Sequence, residues 1–325
     1  MTITDVLECY KEDLARVEQE IQSGLASRAA LVRQVGSYLL GGGGKRIRPL
    51  LLAISANVAG GIGPGAYQLG AAVEFIHTAS LLHDDVVDGA DIRRGRPAAN
   101  NVFGNQATVL VGDYLYSKSL YQAVRMENQR VMDTLSDATK VMSEGEILQL
   151  LKIGDLDISE SEYIEVIESK TAVLISAACR LGAILGGVPD DKEEALAGYG
   201  LDVGLAFQLL DDALDYTAEQ DKLGKTLGKD LAEGKLTLPL IHLLKNATDG
   251  ESAHVRRIIA EEAGGLPVNL EFVLGLMSKY RSIEYATDRA LSYIEKAKGR
   301  LAVFPASPHK DALYAVADYV CEREM

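Results

Sequence analysis

The chain has 325 residues, 47% of them hydrophobic and 25% charged, with a formal net charge of −14. This is a soluble, globular composition, long enough for a large core. The acid excess excludes the field of Lys and Arg that nonspecific binding needs, so nucleic acid is not an expected partner.

The start, MTITDVLECYKEDL, is acidic and carries no apolar signal core. Cys9, Cys179 and Cys321 fall at no pairing or metal-ligand spacing, which points to a reducing, cytoplasmic setting. The period of apolar residues is helical almost throughout. Residues 2–22 and 27–40 read as amphipathic helices, the second stopped by the glycine run 41–44. Pro64 opens a helix that runs to Asp88. Helices follow at 107–125, 131–152, 160–168, 170–186, 191–217, 237–246, 252–263, 268–279, 281–300 and 308–324. The greasiest stretch, 171–187, is short for a membrane span and is interrupted by Arg180, so it reads as a buried helix. No strand–helix alternation and no low-complexity linker is seen. The expected class is therefore all-α, one domain over 1–325, with many helices around a central cavity.

Two local motifs echo each other, DDVVD at 84–88 and DDALD at 211–215. Residues four apart share a helix face, so Asp84 projects with Asp88 and Asp211 with Asp215. Asp85 and Asp212 lie about a hundred degrees round the helix from those neighbours, as further ligands or as partners along the helix side. Uncompensated carboxylates on apolar helices cost several kcal/mol or protonate. All-oxygen clusters suit Mg²⁺, a hard cation that keeps waters and borrows phosphate oxygens. Two such faces opposed across a bundle would grip a diphosphate through several ions. A solvated helix face is the bland alternative, and the second copy weakens it.

Cations sit near both motifs. GGGGKRIRP supplies Lys45, Arg46 and Arg48, and RRGRP supplies Arg93, Arg94 and Arg96. ESKTA brings Lys170 and Thr171, and LGKTLGKDLAEGK brings Lys225, Lys229 and Lys235. Arginine forks fit phosphate oxygens, and lysine acts as a point charge. Arg46 and Lys229 read as plain surface charges. Neither glycine–lysine stretch is a Walker A loop: no Ser or Thr follows Lys45, and position 219 is Glu.

These residues resemble the trans-isoprenyl diphosphate synthases, the polyprenyl synthetases. The likeness runs from GGGGKRIRP through HTASLLHDDVVDGADIRRGRP and FQLLDDALDY to EGKLTLPL. The long-chain branch with octaprenyl-like products looks closest, and a shorter-chain farnesyl or geranylgeranyl synthase is the alternative. The resemblance implies an all-α homodimeric prenyltransferase using several Mg²⁺ ions. Asp84, Asp85, Asp88, Asp211, Asp212 and Asp215 would bind the metal. Arg93, Lys170, Thr171, Gln208 and Lys225 would contact the allylic diphosphate. Lys45, Arg48, His77 and Arg94 would hold isopentenyl diphosphate, and Lys235 matches a lysine of a later loop. Asp84, Asp85, Asp88, Arg93, Lys170 and Asp211 form the implied catalytic set. Membrane association is expected to be peripheral at most, for product release.

The size of the side chains before Asp84 suggests a ruler for the product. Ala79 and Ser80 lie one turn before it, and side chains point back toward a helix N-terminus. Small residues there leave a path for a growing tail. One turn spans about 5.4 Å, close to one isoprene unit. Ile76 would line the same path, with Leu135 or Met142 from another helix as the floor. Close helix packing is the plain alternative for Ala79 and Ser80.

Three rivals remain. A terpene cyclase shares the first motif, but DDALD and the second basic set oppose it. A non-catalytic subunit of a heteromeric synthase is opposed by two intact clusters. An HD-type phosphohydrolase would use His83 with Asp84, and no second helix supplies a matching His near DDALD.

Overall fold

The computed structural model describes residues 1–41, 45–93, 95–217, 231, 234–263 and 269–322. Its α-helices begin with α1 (Ile3–Cys9), α2 (Lys11–Gly24), α3 (Ala30–Leu40), α4 (Ile47–Ala59) and α5 (Pro64–Val87). After a hairpin come α6 (Ala99–Phe103), α7 (Asn105–Val124), α8 (Gln129–Lys152), α9 (Glu160–Ile167), α10 (Val173–Gly186) and α11 (Asp190–Leu214). The rest are α12 (Leu238–Asn246), α13 (Asp249–Ala263), α14 (Leu270–Lys279), α15 (Ser282–Arg300) and α16 (Pro308–Glu322). Among the described residues the only strands are the antiparallel pair β1 (Ile92–Arg93) and β2 (Arg96–Pro97). The class is all-α, as expected.

The described residues fall into two compact units. Met1–Lys140, Leu174–Gly200 and Arg300–Val316 belong to the first, and Val141–Val173, Leu201–Gly299 and Ala317–Met325 to the second. In the first unit α5 is the organising helix. Pro64 at its start is pre-set for helix, and the helix is apolar on nearly every face. It packs most extensively against α7, and also against α2 and α4. Phe75, Ala79 and Leu82 of α5 share a hydrophobic cluster with Val17, Ile21, Val111 and Leu115. In the second unit α12 packs against α9, α13 and α14. There Arg289 and Tyr285 of α15 both donate to Glu160 of α9, at 3.0 and 2.7 Å.

The helix expected over 2–22 is broken at Tyr10. That residue leaves helical geometry, is buried, and bonds His309 Nδ1 through its hydroxyl at 2.6 Å. The stretch expected as a buried helix forms α10, with Leu174, Ala178, Cys179 and Leu181 buried. Glu160–Gly186 as a whole is long and apolar enough to cross a membrane, yet half of its most apolar window is buried in the fold. Where a break was expected at 169, a π-turn (Glu168–Ala172) joins α9 to α10 instead. Two helices were not foreseen. α4 is buried almost all round, so it has no polar face to set a period. α6 is only five residues long.

Arg46 corrects its reading as a surface charge. It sits at the N-cap of α4 with φ +47°, and its side chain points inward. Its guanidinium bonds Glu74 at 3.2 Å, Glu18 at 3.3 Å and the Leu40 carbonyl at 2.6 Å, and Glu74 is only 5% exposed. Removing one partner of such a pair strands a buried charge. Arg46→Ala is expected to lower unfolding free energy by about 2–4 kcal/mol, read from urea denaturation. A change within error would mean that Arg46 is a surface charge after all.

Candidate active site

In the first unit the acidic motif sits on the last turn of α5. Asp88 caps the helix, its N–H donating to the Asp84 carbonyl at 2.8 Å. That turn holds no basic residue. The C-terminal end of a helix is its negative pole, so each carboxylate there raises the electrostatic cost unless a cation arrives. The three aspartates differ in setting. Asp84 is half-buried, Asp88 exposed, and Asp85 fully buried. Asp85 Oδ1 accepts from Arg93 Nε, and Oδ2 takes a long contact of 3.5 Å from the Ala99 N–H. Arg93 is brought there by the β1–β2 hairpin, whose turn contains Gly95 at φ +73°.

The other expected residues of this unit lie on α4 and α5. Arg48 is half-buried in the first turn of α4, and exposed Lys45 lies just before it. His77 is half-buried on α5, and its carbonyl accepts from Ser80 Oγ at 2.9 Å. Ile76 and Ala79 are fully buried, and Ser80 is half-buried. His83 turns to α7, where its Nε2 lies 3.2 Å from the Val109 carbonyl and 3.4 Å from Asp113. Both contacts are to α7, and they engage the Nε2 that the HD-type rival would need. Leu135 is buried on α8.

The second unit builds its site on the π-turn and α11. Two glycines make room for that turn. A Cβ on Gly145 of α8 would stand 2.9 Å from Lys170 N, and one on Gly204 of α11 would stand 2.6 Å from Ala172 Cα. So both helices approach the turn at backbone distance. Lys170 then reaches Glu146 Oε2 at 2.8 Å and Gln149 Oε1 at 2.7 Å. Thr171 Oγ1 donates to Gln208 Oε1 at 2.9 Å, and Gln208 Nε2 donates to Asp212 Oδ1 at 2.7 Å. The Tyr163 hydroxyl donates to Asp212 Oδ2 at 2.5 Å.

The second motif repeats the division found in the first. Asp211 and Asp215 are half-buried, Asp212 is buried, and the last turn of α11 also lacks a basic residue. Burial pushes the Asp212 carboxyl up to about 7, while its hydrogen bonds from Tyr163 and Gln208 hold it down and the charges of Asp211 and Asp215 raise it. Lys235 is half-buried before α12, and Met142 is buried on α8. Arg94, Lys225 and Lys229 lie outside the described residues.

Tyr163, Glu146 and Gln149 were not foreseen. Tyr163 stands seven residues before Lys170, about two turns, and that shared face was the one available signal. Among the described residues no three His, Cys, Asp or Glu side chains form a ready cage for an ion. The donor set still fits a hard divalent cation. All the side chains in question are carboxylates at negative helix ends, and Mg²⁺ is commonly bound by one or two carboxylates plus waters and substrate phosphates.

Comparison with known proteins places this arrangement. The polyprenyl synthetase family model matches residues 29–266. An octaprenyl diphosphate synthase from Haemophilus influenzae is 43% identical over 317 residues, 98% of this chain and 96% of the relative. The crystal structure of a decaprenyl diphosphate synthase from Rhodobacter capsulatus superposes with a TM-score of 0.94 at 41% identity, covering 99% of each chain. A polyprenyl synthase from Caulobacter crescentus, complexed with calcium and isoprenyl diphosphate, gives a TM-score of 0.93 at 39% identity over 100% of this chain and 98% of that one. Carboxylates gathered at the negative ends of two helices, donors suited to phosphate, and an all-α frame shared with these proteins along its length place the chain in the polyprenyl synthetase family.

Proposed function

We propose that this chain is a long-chain all-trans-polyprenyl diphosphate synthase, adding isopentenyl diphosphate units to an allylic diphosphate to give an octaprenyl-like product. One observation carries the reading. Each DDxxD motif ends a helix that has no basic residue in its last turn, and each keeps its outer aspartates accessible. We assign Asp84, Asp88, Asp211 and Asp215 as Mg²⁺ ligands. Asp85 and Asp212 back them from buried positions, held by Arg93 and by Tyr163 with Gln208. When bound, Mg²⁺ neutralises charge that gathers on the leaving diphosphate.

In the first unit Lys45, Arg48 and His77 are assigned to isopentenyl diphosphate, and Arg93 to a phosphate oxygen. In the second unit Lys170 and Gln208 are assigned to the allylic diphosphate, with Thr171 bracing Gln208. These side chains orient the phosphates and stabilise developing charge without moving. The allylic C–O bond breaks, the double bond of isopentenyl diphosphate attacks the cationic carbon, and a proton leaves to the departing diphosphate. Cys9, Cys179 and Cys321 are in no disulfide, which fits a cytoplasmic address. The outward face of α7 exposes Val109, Leu110, Leu120, Tyr121 and Val124. That apolar face supports a homodimer formed through α7.

The purified chain with Mg²⁺, farnesyl diphosphate and labelled isopentenyl diphosphate should make long-chain product, and EDTA should abolish it. Asp84→Asn and Asp211→Asn are each expected to cut turnover by about a hundredfold or more. An inactive wild type would favour the heteromeric-subunit alternative.

Ala79→Phe and Ser80→Phe should both shorten the product, read by chromatography. Ala79 lies in a packed cluster, so a larger ring there also costs about 1–3 kcal/mol of stability. Half-buried Ser80 gives the cleaner test, and unchanged lengths in both variants would remove the ruler.

Leu110→Lys with Val124→Lys should turn a dimer into a monomer in sedimentation velocity. Retention of the dimer would move the interface away from α7.

A further inference from the structure

The hydrogen bonds in the second unit have directions, and the directions fix roles. Asp212 accepts at Oδ1 from the amide nitrogen of Gln208. That places Gln208 Oε1 toward Thr171, whose hydroxyl donates to it. Thr171 has one hydroxyl hydrogen, and Gln208 takes it. The Gln208 amide nitrogen has two hydrogens, and Asp212 takes one. The chain of bonds thus has one donor to spare, the second Nε2 hydrogen of half-buried Gln208. What fixes Asp212 in turn is Tyr163, on α9, whose hydroxyl holds the far oxygen Oδ2. Tyr163 is 4% exposed and Asp212 6%, so water does not readily replace that bond.

We propose that Tyr163 is a positioning residue for the allylic diphosphate: through Asp212 it fixes the Gln208 amide so that one Nε2 hydrogen is offered to a phosphate oxygen. Thr171 is the brace of this arrangement and Gln208 its donor. This rests on the prenyl transfer activity proposed above and deepens it. Lys170 brings the charge, held by Glu146 and Gln149 on its own side of the π-turn. Tyr163 supplies orientation and no charge.

Tyr163→Phe removes the hydroxyl and keeps the ring. The expected result is a rise of about tenfold in KM for farnesyl diphosphate, with KM for isopentenyl diphosphate within about twofold of wild type. Calorimetric binding of farnesyl thiodiphosphate, an unreactive allylic analogue, should weaken by the same factor in the presence of Mg²⁺. In a Gln208→Ala background, Tyr163→Phe should have no further effect, because its route runs through that amide. A merely structural role would instead raise both KM values together and add fully to Gln208→Ala. Either pattern overturns the proposal, as does wild-type affinity for the analogue in Tyr163→Phe. A wild-type chain that binds the analogue but does not elongate farnesyl diphosphate overturns the functional reading itself, and the binding comparison still tests Tyr163.

Discussion

A carboxylate at the C-terminal end of a helix faces the negative pole of the backbone and has no favourable partner there except a cation. α5 and α11 both end on aspartates, and neither last turn supplies a Lys or Arg. Arg93 engages Asp85, and Tyr163 with Gln208 engages Asp212, so the middle aspartate of each motif is satisfied by protein. The outer ones, Asp84, Asp88, Asp211 and Asp215, sit where solvent and ligand can reach them. Within one motif, then, two tasks are separated by the helical period: residues i and i+4 share the open face, and i+1 points into the fold.

Asp212 shows what the inner position costs. An acid whose folded pKa stands above its unfolded value favours the protonated folded form. Its contribution to stability is therefore lost as pH rises from the ordinary carboxylate range through about 7. The hydrogen bonds from Tyr163 and Gln208 act against that shift, and the neighbouring charges Asp211 and Asp215 act with it. A divalent cation held by the outer pair, as proposed, would offset the neighbours' contribution directly. The same carboxylate that burdens the folded chain by itself becomes useful once positive charge is held beside it, because a buried acceptor keeps Gln208 in one orientation.

Much of this was legible in the sequence for identifiable reasons. α5, α7, α10 and α11 have long helical periods or long apolar runs, and spacing alone put Asp84 with Asp88 and Asp211 with Asp215. Spacing also set Asp85 and Asp212 apart from their neighbours. What escaped was what has no period. α4 is apolar on all sides, so its helix lacks the polar stripe that pattern reading needs. The β1–β2 hairpin is too short to alternate. The π-turn differs from an α-helix by a hydrogen bond, and residue types do not betray that.

Side-chain direction escaped for a further reason. Arg46 and Arg48 are two residues apart in one basic run, and composition treats them alike. Arg46, at the N-cap, reaches Glu74 and Glu18, and Arg48 enters the first turn of α4. So one arginine of the run is occupied in holding α4 to α2 and α5. The same logic explains Tyr163. A tyrosine at helical spacing reads as core, and its ring is core, but its hydroxyl ends on the carboxylate that orients Gln208. A buried aromatic acquires a functional role when its one polar atom finds an acceptor in the site, and that acceptor comes from a helix almost fifty residues further along the chain.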